Sequence, residues 1–316
     1  MVSKVKLDLF KLKSKSDLVG VYEFFKAQSV GWFNDSNEPK TEFFSTTNCP
    51  LCMGTDSNEI YVIDAFSYHE CRSCNAVYTR PTLRPGVLEE LYSNGTYQVY
   101  QDSLVKTSLD LRKGVLEERK FGQVEALIKS EKPSLLDVGC GGASFLDVCN
   151  KNGWEVEGVD PSPTSAKTAL EKYNIKVHHG DFADMDFDKQ FDAITFWGVL
   201  EHMANPLSAL TKVVSLLKAG GILAFEVPSA DCFLSQYLRK YNFSPTRYIE
   251  SGRHNIFFSK QAILKFSESL NLDLELIESN GLDLQTILMN GILNIQDVLN
   301  DLLLGDHYRV FLRKKE

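Results

Sequence analysis

The stretch Leu135-Leu136-Asp137-Val138-Gly139-Cys140-Gly141-Gly142-Ala143-Ser144-Phe145, with Asp160 following it, decides how this chain folds. An apolar run ends at an acidic residue and turns through closely spaced glycines. A helical pattern then runs through Phe145, Leu146, Val148 and Cys149, and a second short apolar strand, Trp154 to Val159, closes at Asp160. Strand, glycine turn, helix, strand and acid together build a nucleoside-binding crevice at the carboxyl ends of parallel strands. Glycines lack a Cβ, so their backbone can approach a ligand closely. An acid after the second strand is placed to accept hydrogen bonds from ribose hydroxyls. Gly139, Gly141 and Gly142 do not make a clean G-x-G-x-x-G, which argues against a dinucleotide fold. From Pro133 onward strands alternate with helices, which predicts an α/β, doubly wound, mostly parallel sheet.

The pattern D-x-G-x-G followed by Val159-Asp160-Pro161-Ser162 resembles motif I and the acid after it in class I S-adenosylmethionine (SAM)-dependent methyltransferases. Three further stretches carry the resemblance in the same order. Gly180-Asp181-Phe182 resembles the family's third-strand motif, Phe191 to His202 its fourth strand with a Val-Leu-Glu-His ending, and Leu217 to Leu223 the turn into its fifth strand. The resemblance implies a Rossmann-like seven-stranded sheet with an antiparallel last strand, and SAM as cofactor. It implies cofactor contacts from Asp137, Gly139, Gly141, Asp160, Asp181, Phe182 and Trp197, with Asp181 on the adenine amino group and Phe182 against the adenine ring. Ala143 stands where the family usually has a third glycine, which implies tighter contact with the methionine part.

A second constellation lies upstream. Cys49-Pro50-Leu51-Cys52 and Cys71-Arg72-Ser73-Cys74 are two C-x2-C pairs separated by eighteen residues. This spacing suits a structural zinc ion held by four thiolates with no open position. His69 lies nearby, but four cysteines complete a tetrahedron without it. Together with Val77-Tyr78-Thr79-Arg80-Pro81, Leu91-Tyr92 and Tyr97, the cysteines resemble the bacterial methyltransferase subgroup with an N-terminal zinc-binding domain. That subgroup includes enzymes acting on sugar nucleotides or surface polysaccharides. The resemblance implies a small-molecule acceptor, a sugar or sugar nucleotide.

The expected division is a helical extension over 1–40, a zinc module over 41–85, linker and lid helices over 86–130, and the methyltransferase domain over 131–316 with a substrate-cap insertion at about 230–253. Helices are expected at Asp17–Ala27, Val87–Tyr92 and Leu109–Lys129, an apolar helix at Leu282–Leu304 serving as core or dimer face, and a closing strand at Tyr308–Arg313. In the cap, Phe233, Tyr237 and Tyr241 recur at helical spacing, and Arg239, Arg247 and Arg253 suit phosphate. No run of ~18 apolar residues predicts a membrane span, and Met1–Lys15 does not read as a signal peptide. A cytoplasmic location is therefore expected, with a homodimer as the candidate assembly. The net charge of −8 argues against a nucleic-acid partner.

Methyl transfer to a hydroxyl or carbon needs a base. His254, in Gly252 to Ser259, is the expected base. His202 is the alternative or an acceptor-positioning partner; Tyr97 is a third catalytic candidate and, with Tyr100, a candidate lid. Three functions stay open: a SAM-dependent O- or C-methyltransferase, a methyltransferase-fold scaffold without turnover, and a nucleic-acid methyltransferase, which the acidic balance disfavours.

Overall fold

The computed structural model describes residues 27, 29, 31–93, 116–240, 252, 254–280 and 302–316. Tyr97, Tyr100, Tyr241, Phe243, Arg247, Tyr248 and Arg253 lie outside these residues, as do nearly all of the expected helices at 17–27 and 282–304.

The first elements belong to the cysteine module. Strands β1 (Phe44–Ser45), β2 (Ser57–Ile63), β3 (Phe66–Cys71), β4 (Val77–Thr79) and β5 (Thr82–Leu83) lead into helix α1 (Pro85–Ser93). β1 pairs with β5, while β2, β3 and β4 form an antiparallel sheet. The module does not end at residue 85. Strand β11 (Ile256–Phe257), far along the chain, adds a fourth strand by pairing antiparallel with β4.

The larger unit begins with helix α2 (Glu118–Glu125), which stops short of the expected Lys129. Strand β6 (Ser134–Val138) is buried throughout, as an apolar run in a sheet covered on both faces must be. Then follow α3 (Ser144–Lys151), β7 (Glu155–Asp160), α4 (Pro163–Tyr173), β8 (Val177–His179), β9 (Phe191–Trp197), α5 (Pro206–Leu216) and β10 (Leu217–Pro228). The chain closes with α6 (Phe233–Lys240), β11, α7 (Lys260–Ser269), β12 (Leu272–Asn280) and β13 (His307–Lys314). The seven strands lie in the order β12-β13-β10-β9-β6-β7-β8. β6 to β10 are mutually parallel, and β13 inserts antiparallel between β10 and β12. This is the expected doubly wound sheet with an antiparallel last strand.

One face of the sheet packs Phe121 and Val124 of α2 against Phe145 and Leu146 of α3. Ala143 lies fully buried in this cluster, in a left-handed conformation (φ 59°). Its methyl therefore fills core, not the methionine pocket that the family pattern implied. The other face packs Leu210 and Val213 of α5 with Ile263 and Phe266 of α7, and this cluster continues into Cys49, Cys71, Cys74 and Tyr78. The cysteine module and the sheet thus share one core. Across β10 and β13, Arg309 Nε donates to Glu226 at 2.9 Å and Arg309 Nη1 to Gln123 of α2 at 2.8 Å, an ion-pair network without a local sequence signal.

Within the expected cap, α6 is a helix over Phe233–Lys240. Arg239 does not reach toward a phosphate site: both its terminal nitrogens bind the Glu70 carboxylate of β3, at 2.8 and 3.0 Å. Among the described residues no helix is long and apolar enough to cross a membrane.

Candidate active site

The glycine turn after β6 sorts its glycines by task. Gly139 (φ +69°) touches Val199: a Cβ there would lie 2.4 Å from the valine Cγ2. A side chain at Gly139 would push away the turn that follows β9. At Gly141 (φ +50°) and Gly142 a Cβ would meet nothing within 4 Å, so these two form the open side where a ligand can lie against backbone. A glycine that the pattern passed over, Gly158 in β7, is equally constrained, since a Cβ would lie 2.6 Å from Cys140 Sγ.

Asp160 ends β7 with its carboxylate already oriented. Oδ2 accepts from the Gly141 amide at 2.8 Å and Oδ1 from the Ser162 amide at 2.9 Å. The Ser165 hydroxyl adds a third hydrogen bond, and a carboxylate offers about four acceptor sites, so room for a ligand hydroxyl remains. Burial raises the Asp160 pKa, and the two amides offset part of that shift. Asp137 lies beneath the turn. Thr195 Oγ1 donates to it at 2.6 Å, and burial pushes its pKa up to about 7. Trp197 ends β9 with its ring 5.3 Å from Phe145, and its Nε1 is buried. Sequence reasoning missed the charges beside it. Lys120 Nζ lies 4.9 Å over the Trp197 ring and 3.3 Å from the buried Glu117, which accepts from Ser144 Oγ at 3.4 Å.

On the nucleobase side, Asp181 caps a short 3-10 turn (Phe182–Asp184), accepting from the Ala183 amide at 2.8 Å. Phe182 departs from expectation. It is 2% exposed, 5.9 Å from Phe196 and 6.3 Å from Phe187, so its ring offers no open face to adenine in this conformation. Lys212 anchors the turn from below, donating to the carbonyls of Phe182 at 2.7 Å, Ala183 at 3.0 Å and Met185.

The turn after β9 carries Glu201 and His202, and the strand leading into β11 carries His254. The two imidazoles lie 5.1 Å apart, centre to centre. Glu201 is buried, with Oε1 3.9 Å from His202 Nε2. Tyr92, near the end of α1, places its hydroxyl 3.0 Å from His202 Nδ1. The Tyr92 hydroxyl thus fixes the ring at Nδ1, while Glu201 lies within electrostatic reach of Nε2 but beyond hydrogen-bond distance. Tyr92 was quoted from the sequence only as part of the zinc-domain resemblance; its pairing with a histidine 110 residues away has no local signal. Glu201, His202 and His254 bring one ligand atom each within 4.8 Å of one another, a set able to handle a proton or a small divalent cation.

The four cysteines also converge. Cys49 and Cys74 Sγ lie 3.6 Å apart, as do Cys52 and Cys71. Thiolates held ~2.3 Å from one ion in a tetrahedron would lie ~3.8 Å apart, so the set fits zinc without rearrangement. Met53 (φ 59°) and Asn75 (φ 60°) follow the two knuckles with the same left-handed turn, and a Cβ at Gly54 would press on Cys71 Sγ at 3.1 Å. The Cys74 hydrogen bond lowers the Cys49 pKa, while the Cys74 thiol is pushed up by the same contact and by burial.

Residues 113–277, more than half of the chain, match the family model described as a methyltransferase domain. The chain belongs to this methyltransferase family. Among curated relatives, the ubiquinone biosynthesis O-methyltransferase of Nitrobacter winogradskyi is 35% identical over 95 residues, covering 28% of this chain and 36% of that protein. The protein of the same name from Ruegeria sp. (strain TM1040) is 32% identical over 111 residues, covering 32% and 45%. The chain thus spans less than half the length of these two methyltransferases. Similar solved structures include magnesium protoporphyrin IX methyltransferase from Synechocystis PCC 6803 (TM-score 0.47, 13% identity, 69% of this chain and 87% of that one). Another is an S-adenosylmethionine-dependent methyltransferase from Clostridium acetobutylicum (TM-score 0.47, 13% identity, 70% and 99%).

Proposed function

We propose that the protein is a SAM-dependent methyltransferase acting on a hydroxyl of a small acceptor, with a sugar or sugar nucleotide as the substrate class and a carbon acceptor as the variant. The observation that carries this reading is the pairing of two preformed half-sites. The oriented Asp160 carboxylate lies beside an open glycine turn, and His202 lies on the turn that Gly139 touches, with His254 brought beside it from the segment before β11. When bound, SAM supplies a methyl group on a cationic sulfur. Asp160 receives the ribose hydroxyls, and Asp181 lies on the nucleobase side. The Nδ1 of His254 is buried, so this residue takes the acceptor proton at Nε2. His202, held by Tyr92, orients the acceptor. Cys49, Cys52, Cys71 and Cys74 hold a structural zinc. The relatives named O-methyltransferases favour oxygen over carbon as the nucleophile.

The Glu201–His202–His254 cluster supports a second reading, in which a divalent cation there polarises the acceptor hydroxyl. Incubation with SAM and a panel of sugar nucleotides and hydroxylated aromatics, followed by mass spectrometry, tests the first reading. A product heavier by one methylene from a sugar nucleotide supports it; methylation confined to the aromatics overturns the sugar assignment. Dialysis against a chelator that leaves zinc in place but abolishes turnover, with recovery on adding magnesium, favours the cation reading.

A further inference from the structure

The segment carrying His254 runs between the second cysteine knuckle and the turn after β9, and its far end is also tied to β10, where the Phe258 amide donates to the Pro228 carbonyl at 2.9 Å. The Ser259 hydroxyl donates to the Cys74 carbonyl and accepts from the Ala262 amide at 2.9 Å, so one buried oxygen both caps α7 and ties that helix to the knuckle. The Ser73 carbonyl accepts from Gln261 Nε2 at 3.2 Å and from Lys265 Nζ, and Asn75 Nδ2 donates to Gln261 Oε1 at 2.8 Å. The knuckle therefore rests on the first turn of α7. On the other side, Ile256 and Phe257 pair with Tyr78 and Val77 of β4. The Thr79 amide donates to the Asn255 carbonyl at 2.9 Å, and the Asn255 amide donates to the Glu201 carbonyl at 3.1 Å. His254 is one residue from both of these bonds.

We propose that the cysteine module is a positioning element of the acceptor site: metal held by Cys49, Cys52, Cys71 and Cys74 sets the place of His254, acting through Ser259 and the β4–β11 pairing. This rests on the reading of His254 as the residue that meets the acceptor. Thiolate–metal bonds are what fix a short knuckle, because metal binding and folding are coupled in such modules. When Cys71–Cys74 loosens, the Cys74 carbonyl no longer receives Ser259, β4 loses its turn, and β11 loses its partner strand. The cofactor half shares core packing with the module, but the Asp160 carboxylate takes its hydrogen bonds from the Gly141 and Ser162 amides, in the turns beside β6 and β7, and not from the knuckles. Ser259 is thus a positioning residue.

Hydrogen-exchange mass spectrometry on the full chain tests this, comparing the zinc-loaded protein, the chelator-treated protein and zinc-loaded Ser259→Ala. Metal removal is expected to speed exchange at least tenfold in residues 254–262 as well as in 49–79, while β6 and β7 stay protected. Zinc-loaded Ser259→Ala is expected to keep one zinc per chain and the wild-type KM for SAM, to exchange faster in residues 260–263, and to lose several-fold in kcat. Ser259→Thr should restore both. Should the stripped chain lose protection everywhere, the Ser259 pair of variants carries the test alone. Residues 254–262 indifferent to metal, or a Ser259→Ala variant with full kcat, would overturn the proposal. If those residues respond to metal while His254→Ala keeps full turnover, the coupling stands and the reading of His254 as base falls.

Discussion

The two halves of the site are assembled in opposite ways. The cofactor half comes from one continuous run, residues 135–197, whose strands, turn and acid follow one another along the chain. The acceptor half gathers Tyr92, Glu201, His202 and His254 from three separate segments, and the cysteine module helps to bring the outer two to the middle one, alongside the Asn255–Glu201 backbone bond. Local assembly makes the first half resistant to distant change. Long-range assembly makes the second half dependent on everything that holds β4 and β11 together.

The largest break in this comparison should come from the base. His254→Ala is expected to lower kcat by ~10²–10⁴, the range for losing a positioned general base, while calorimetry with SAM returns the wild-type affinity. Equal turnover would remove histidine from the chemistry and leave orientation to carry the rate. Asp160→Ala should do the reverse. Its expected cost is ~1.5–3 kcal/mol in SAM binding, the scale for hydrogen bonds to a charged group. Turnover at saturating SAM should fall much less.

A smaller effect sharpens the electrostatics of the cofactor half. Burial holds Asp137 neutral up to about pH 7, among Lys120, Glu117 and Asp160. A cationic cofactor favours the ionised carboxylate, so SAM affinity should rise as pH climbs through 7. The gain should approach ~10-fold between pH 6 and 8, as one pKa unit corresponds to 1.36 kcal/mol. In Asp137→Asn the profile should be flat over that interval. The sign for stability is opposite. The folded state holds this proton more tightly than the unfolded chain, so the contribution of Asp137 to stability is full below its ordinary pKa near 4 and is lost as pH rises through about 7. Tyr92→Phe removes one hydrogen bond from His202, worth ~1 kcal/mol, and should cost about fivefold in kcat. A shift in the pH–rate profile would separate loss of His202 orientation from loss of packing.

This contrast also explains what was legible in the sequence. The strand–glycine–helix–strand–acid unit depends on neighbours in the chain, so 135–160 could be read directly, as could the cysteine spacing. Phe182 could not. Its place in the motif suggested an adenine contact, but the burial of its ring depends on Phe187, Phe196 and Lys212, which no local pattern links to it. Ala143 misled for the same reason: the family position suggested a ligand contact, and the core claimed the methyl. Arg239 looked available for phosphate until β3 supplied Glu70. The β4–β11 pairing joins residues about 180 apart, and its only trace in the sequence is an apolar pair before a helix-capping serine.

The most direct measurement of the central claim is a calorimetric titration of SAM into zinc-free Cys71→Ser. Independent assembly of the cofactor half predicts an affinity within about twofold of wild type while metal analysis finds the zinc gone, a difference of ~0.4 kcal/mol or less. A loss of affinity as large as that of Asp160→Ala would contradict the account, because the crevice would then depend on the cysteine module as much as the acceptor half does.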